Sequence, residues 1–252
     1  MNFDDLDRKL RIHETLHDQH VLPGIRIVIR LDGRNFTRLT KIEWGLEAPF
    51  DIRFRDAMLA TTRHLMDCGF GVSYGYVQSD EISLLLRADD GTFDRKVRKL
   101  LSVLAGEASA CFSLAMQRHA GFDARISQLP SDALVVDYFR WRHEDAHRNA
   151  LNAHCYWLLR GQGESARSAT ARLSGLSIAE KNELLFRHDI NFNDLPAWQK
   201  RGMGVHWETY EKAGRNPRTG EATTTQRRRL RTHEVLPLGE SYADFVRARL
   251  AE

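Results

Sequence analysis

Apolar residues alternate most regularly at 25–31, where Ile25, Ile27, Ile29 and Leu31 fall on one face of an extended chain. That period of two predicts a strand, which Asp32-Gly33 ends. Over 51–67 the period becomes helical. Ile52, Met58, Leu59, Leu65 and Met66 lie near one face, Asp51 stands at the N-cap and Gly69 closes the run. Residues 70–77 and 81–86 read as two strands joined through Gln78-Ser79-Asp80, a hairpin. A long helical pattern covers 94–117 and a short strand 124–128. Pro130-Ser131 then opens a second long helix over 132–159.

This β-α-β-β-α-β order is that of the ferredoxin-like split βαβ arrangement, so the expected class is α+β. In such a core the end of the first strand lies beside the second hairpin, so Asp32 and Asp80 are expected to converge. After residue 160 the pattern is less regular. Ser177 to His188 reads as a capped helix and 191–196 as a polar loop. Val205–Tyr210 and Thr223–Leu230 flank the turn-rich Gly214–Gly220, as in a long hairpin, and Leu238 to Leu250 reads as a terminal helix. The expected organisation is a core at 1–160 and, at 161–252, an extension of helices and a hairpin.

With 252 residues the chain can bury a proper core. It has no run of about 18 apolar residues, so no membrane span is expected. Its start, Met1-Asn2-Phe3-Asp4-Asp5, lacks the apolar region of a secretory signal. Cys68, Cys111 and Cys155 are scattered without a C-x-x-C pair, which suits reduced thiols in a cytoplasmic protein rather than a cysteine zinc site. The net charge is only +3, but basic residues cluster at Arg95-Lys96-Val97-Arg98-Lys99 and Arg227-Arg228-Arg229-Leu230-Arg231. Either run alone reads as a solvated face. Beside a carboxylate metal site, the two together point to a polyanion.

Asp32 in Arg30-Leu31-Asp32-Gly33-Arg34-Asn35-Phe36, taken alone, is a turn residue. Gly33 leaves room for a phosphate or metal to approach the backbone. Asp80-Glu81 is harder to dismiss, because two adjacent acids at a strand start are unfavourable without water or a cation. Adjacent strand residues point to opposite faces, so one acid is expected to bind metal and the other to support the site. Asp80 is the expected ligand. Hard cations such as Mg²⁺ take one or two carboxylates plus substrate phosphates, and two ions ~3.5–4 Å apart clamp an attacking and a leaving oxygen. Lys96 and Lys99, three apart, share a helix face within reach of a triphosphate. Solvent exposure explains them equally well.

His143-Glu144-Asp145-Ala146-His147 matches the zinc-protease signature H-E-x-x-H. The extended pattern requires glycine at 150 and histidine at 153, where Ala150 and Ala153 stand, leaving only a distant third ligand such as Glu180. His13, His17 and His20 have helix-compatible spacing and read as surface residues near the terminus.

Taken together, the chain resembles the tRNA-His guanylyltransferase family of 3′–5′ polymerases, including its bacterial and archaeal guanylyltransferase-like members. The residues that carry the likeness are Arg30–Phe36, Gln78–Glu81, Asp137-Tyr138-Phe139-Arg140-Trp141-Arg142, Lys181–Phe186 and Ile190–Asn193. The resemblance implies a polymerase-palm core, a tetramer, and two Mg²⁺ ions with Asp32, Asp80 and the backbone at Gly33 as ligands and Glu81 in support. It also implies nucleotide contacts from Arg30, Ser79, Lys96, Lys99, Lys181 and Asn193. ATP or GTP would activate a tRNA 5′-phosphate, and the 3′-hydroxyl of an incoming nucleotide would attack it.

The segment His147-Arg148-Asn149-Ala150-Leu151-Asn152-Ala153-His154 departs from the His-Ile-Asn-Asn-Leu-Tyr-Asn-Thr of enzymes dedicated to tRNA-His, and Ala48 replaces a family lysine before Pro49. Those departures favour template-directed repair of tRNA 5′ ends over strict tRNA-His guanylylation. Other readings are a palm-fold nucleotidyl cyclase, a zinc protease on Glu144 and a non-catalytic RNA-binding module.

Overall fold

A computed structural model describes residues 2–215, 218 and 221–251. The elements run, in chain order, α1 (Phe3–Thr15), β1 (Arg26–Gly33), a short turn α2 (Phe36–Arg38) continued by a π-helical turn at Leu39–Glu43, α3 (Ile52–Leu65), β2 (Val72–Gln78) and β3 (Glu81–Leu86). They continue with α4 (Val97–Met116), β4 (Phe122–Leu129), α5 (Asp132–Gly161), α6 (Ala166–Ser174) and α7 (Ile178–Phe186). The last are α8 (Ala197–Arg201), β5 (Met203–Arg215), β6 (Ala222–His233) and α9 (Gly239–Leu250).

The strands form one antiparallel sheet in the order β4-β1-β3-β2-β5-β6. Its first four strands have the ferredoxin-like order that the sequence implied. The sheet crosses the expected boundary at residue 160, because β5 pairs with β2 of the core. Alternation along each strand divides the apolar residues between two faces. Ile27, Ile29 and Leu31 of β1 join Ile82, Leu84 and Val77 against α3 and α4. Val28, Leu85 and Tyr74 face the other way, onto Val135 and Phe139 of α5 and Tyr242 and Val246 of α9. Among the described residues α4 alone has the length and hydropathy to cross a bilayer, yet its Leu100, Leu104, Ala108 and Phe112 are buried against the sheet.

Three elements leave no clear mark in the hydrophobic pattern. α1 buries no residue at all, so it has no apolar face fixed by packing on this chain. α6 and α8 are short, with nine and five residues. The expected start of α4 at residue 94 is also corrected. Phe93, Asp94 and Arg95 all adopt positive φ, near 53°, 54° and 55°, and Lys96 is extended, so the helix begins at Val97. Asn216, Pro217, Thr219 and Gly220, in the predicted hairpin tip, lie outside the described residues, as does Met1.

Candidate active site

Gly33, Phe36 and the strand ends set the geometry. An added Cβ at Gly33 would lie 2.4 Å from the Phe36 ring, so only glycine lets that ring close over the end of β1. Phe36 in turn packs on Phe112 and Phe122, with ring centroids 5.2 and 5.1 Å away, and on Trp44 at 5.7 Å. The aromatic cluster pins the segment from Asp32 to the π-helical turn.

Asp32 of β1 stands opposite Glu81 of β3 and Asp123 of β4, so three carboxylates occupy one cross-strand row on one face. The row two residues back supplies the counter-charges Arg30 and Arg125, which are also paired in register. Arg30 lies 3.8 Å from Asp32 and 3.9 Å from Glu81, and Arg125 lies 3.6 Å from Asp32. From α5, Arg142 donates to Glu81 Oε2 at 2.5 Å and pairs with Asp145 at 3.1 Å. Its side chain is only 4% exposed, so removing Glu81 would leave a buried guanidinium short of a partner.

Asp80 sits in the turn after Ser79, which takes the left-handed conformation at φ 50°. The Gly33 N–H donates to the Asp80 carbonyl at 3.0 Å, tying the turn to the end of β1. Burial pushes the Asp80 carboxyl up to about 6, and the negative charges of Asp32 and Glu81 add to that shift. Carboxylates that oppose one another's ionisation suit a bound dication, which relieves the repulsion. Their hard oxygen donors match Mg²⁺ rather than zinc. No group of three or more His, Cys, Asp and Glu arranged to hold a metal occurs among the described residues. A Mg²⁺ ion that draws its remaining ligands from phosphate and water does not require one.

Ser79, Asp80 and Glu81 form one end of a cavity of about 730 Å³. Its walls come from the 36–41 segment, the 46–51 loop, the start of α3, Trp198, and the α5 residues Asn149, Asn152, Ala153, Tyr156 and Trp157. Of the residues that depart from the family pattern, Ala48, Asn152 and Ala153 line it, whereas Ala150 is buried in the core beneath α5. Sequence reasoning missed Arg142, Lys41 and the Tyr156-Trp157 pair. Arg142 lies inside a motif whose only sequence signal is its family likeness, and Lys41 becomes legible only once Tyr156 and Trp157 are folded opposite it.

Of the expected nucleotide contacts only Ser79 lines this cavity; Arg30 stands beside it on Asp32 and Glu81, and Lys96, Lys99, Lys181 and Asn193 lie elsewhere. Lys96 and Lys99 lie near the start of β1, at the opposite end of the sheet from Asp32, where Val21 and Val97 bond the neighbouring loops. Lys96 pairs with Asp18 at 3.2 Å and Lys99 sits over the Phe93 ring. The left-handed residues 93–95 also remove Lys96 from the helix, so the two lysines do not share a helical face. Arg95 donates to the Ile25 carbonyl and Arg98 pairs with Asp18, so most of this basic run is engaged structurally. Lys181 and Asn193 lie in the cluster of α5, α6 and α7 and in the following turn, off the cavity wall, and the Asn193 carbonyl accepts from Lys200.

Each member of the H-E-x-x-H segment has a structural partner. His143 is buried, 1% exposed, and stacks on Tyr242 with centroids 4.2 Å apart. His147 meets the edge of Phe192, and Glu144 pairs with Arg201 at 2.9 Å. Glu180 closes a capping box with Ser177 at the start of α7.

The family profile described as tRNAHis guanylyltransferase matches residues 7–131, and that of the Thg1 C terminal domain matches 133–241. The chain belongs to the tRNAHis guanylyltransferase family. The tRNA(His) guanylyltransferase of Debaryomyces hansenii is 32% identical over 199 residues, 73% of this chain and 74% of that protein. That of Schizosaccharomyces pombe is 31% identical over 192 residues, 72% and 73% of the two chains. A bacterial tRNA(His) guanylyltransferase-like protein in complex with GTP superposes with a TM-score of 0.77 at 27% identity, covering 99% of this chain and 100% of that one. The Saccharomyces cerevisiae enzyme gives 0.70 at 25% identity, covering 77% and 91%. The family is one of 3′–5′ nucleotidyltransferases, and this member is accordingly an enzyme of that class.

Proposed function

We propose that this enzyme adds nucleotides to the 5′ end of tRNA in the 3′–5′ direction, with Mg²⁺, and that the cavity beside Asp80 takes the nucleoside triphosphate. The observation that carries the reading is the buried Asp80 carboxyl, raised beside Asp32 and Glu81 at the end of a nucleotide-sized cavity. Asp32, Asp80 and the backbone at Gly33 would hold the metal ions. Bound there, Mg²⁺ lowers the pKa of an attacking hydroxyl and neutralises charge on the transferred phosphorus.

The protein's own residues supply position. Arg142 and Arg30 fix Glu81, which keeps the carboxylate row aimed at the turn. Ser79, Asn149 and Asn152 offer hydrogen bonds to the nucleotide, while Phe50 and Trp198 shield the cavity from water. With the substrate 3′-hydroxyl and an activated 5′-phosphate held in line, no side-chain nucleophile is needed.

Repair of truncated tRNA is favoured over tRNA-His guanylylation because Ala48, Asn152 and Ala153 change the cavity wall itself. A cyclase reading is less well supported, since the family match extends through 133–241. We assign the enzyme to the cytoplasm and infer a homo-tetramer, for which the unpartnered α1 is the support.

The test uses 5′-³²P-monophosphorylated tRNA-His and a tRNA lacking its first nucleotide, with Mg²⁺, ATP and the four NTPs. Extension of the truncated tRNA, lost in Asp80→Ala, is the expected result. Extension of tRNA-His alone would assign guanylylation instead. Extension of neither would contradict the proposal.

A further inference from the structure

The end of the cavity remote from Asp80 is basic and aromatic. Lys41, on the π-helical turn, lines it opposite Tyr156 and Trp157 of α5. Its Nζ lies 5.0 Å from the centre of the Tyr156 ring and 5.7 Å from that of Trp157. Two rings on one ammonium fix its position, since each ring face attracts a cation. π-Helical turns are rare and concentrate at functional sites.

No carboxylate among the described residues pairs with Lys41. The residue is exposed overall, but its ammonium loses enough water against the rings that burial lowers its pKa, and the positive charge of Arg160 lowers it further. Among the described residues Arg160 donates to the Glu164 carbonyl, and its buried Nε meets no partner there. Two neighbouring cations with no ion pair among the described residues make a local positive potential that an anion would relieve. Glu81, by contrast, already has its arginines, and Asp51 is bound by Arg53.

The separation sets the class of anion. Along the cavity wall, Trp157 stands eight residues beyond Asn149 on α5, about 12 Å at 1.5 Å per residue. A phosphate bound at Lys41 therefore lies away from the reacting centre. We propose that Lys41, clamped on Tyr156 and Trp157 and backed by Arg160, is a phosphate-binding residue of the outer cavity. It grips the polyphosphate tail of a nucleotide or a phosphodiester of the tRNA strand. This inference rests on the cavity's assignment to nucleotide and adds to it the residue that holds the remote phosphate.

The test is equilibrium binding to the full chain with Mg²⁺. Lys41→Met keeps the stem on the rings and removes the charge, while Lys41→Arg restores charge. GTP, guanosine and 5′-monophosphorylated tRNA are titrated separately, and thermal melting checks folding. Lys41→Met is expected to weaken GTP about tenfold or more, as loss of a charged hydrogen bond does, with guanosine unchanged and Lys41→Arg recovering most of the affinity. Weakening of tRNA with GTP unchanged would place the phosphodiester strand at Lys41. Equal weakening of GTP and guanosine, or no weakening of either GTP or tRNA, would overturn the inference. If the unaltered protein bound no GTP at all, the cavity's assignment would fail and this inference with it.

Discussion

At the scale of single residues, adjacent acids are separated by the role of their positions. Asp80, in the turn, carries a raised carboxyl facing the cavity. Glu81, one residue later on β3, is held by Arg142 and Arg30. That the two acids meet different surroundings is legible in the sequence, while Asp80 as metal ligand and Glu81 as its support is the proposed assignment. Arg142 is not, because a guanidinium 61 residues away along the chain leaves no local mark beside Glu81. His143 shows the same limit from the other side. Its H-E-x-x-H spacing suggests zinc, whereas its stacking on Tyr242 makes it a core residue. Burial holds the His143 imidazole down at about 4, with Arg201 contributing. The unfolded chain therefore takes up this proton first as pH falls, so stability is full above about 6.5 and is lost progressively towards pH 4. That loss is expected to reach about 3 kcal/mol from this residue. His143→Phe should flatten the decline in denaturant midpoints between pH 6.5 and 4. An unchanged slope would remove His143 as its source.

At the scale of elements, the strands and long helices are readable because each carries an apolar face that the sheet buries. The ends are less so. β5 and β6 pair all the way to Arg215 and Ala222, but only 203–206 of β5 meet β2. Beyond them a two-stranded ribbon projects, roughly 30 Å long for its nine residues per strand. Its length escapes the hydrophobic pattern because both faces are exposed and polar. On it, Arg229 and Arg231 share Glu208, at 2.7 and 2.6 Å, and Arg228 lies over Trp207. Arg227 has no carboxylate partner among the described residues. Arg227→Ala combined with Arg228→Ala should weaken tRNA binding and leave GTP binding unchanged. The slope of log affinity against log salt should shrink by about 0.7–0.9 for each phosphate that the ribbon no longer neutralises. An unaltered slope would show that the ribbon does not touch the phosphate backbone.

At the scale of the whole molecule, one sheet joins the core to the extension, and the cavity draws its walls from both. A boundary near residue 160 is a reasonable reading of a change in pattern, but strand pairing across it depends on long-range neighbours that local sequence does not encode. α1 is the element that the single chain does not explain. Phe3, Leu6, Leu10 and Leu16 are exposed on or just beyond it, and none of the described residues buries them. If α1 packs in a tetramer, light scattering should give about four times 29.0 kDa, and Leu6→Asp with Leu10→Asp should lower that mass. A monomer before any substitution would contradict it.

The direction of synthesis is the central claim, and one label reports it. When the 3′-hydroxyl of the incoming nucleotide attacks, that nucleotide's triphosphate stays on the product as its new 5′ end. A single-turnover reaction of truncated, 5′-activated tRNA with γ-³²P-GTP, Mg²⁺ and the full chain should therefore place the label in the extended RNA, and Asp80→Asn should abolish its incorporation. Extension that releases the label as pyrophosphate would mean synthesis in the ordinary direction and would contradict the account.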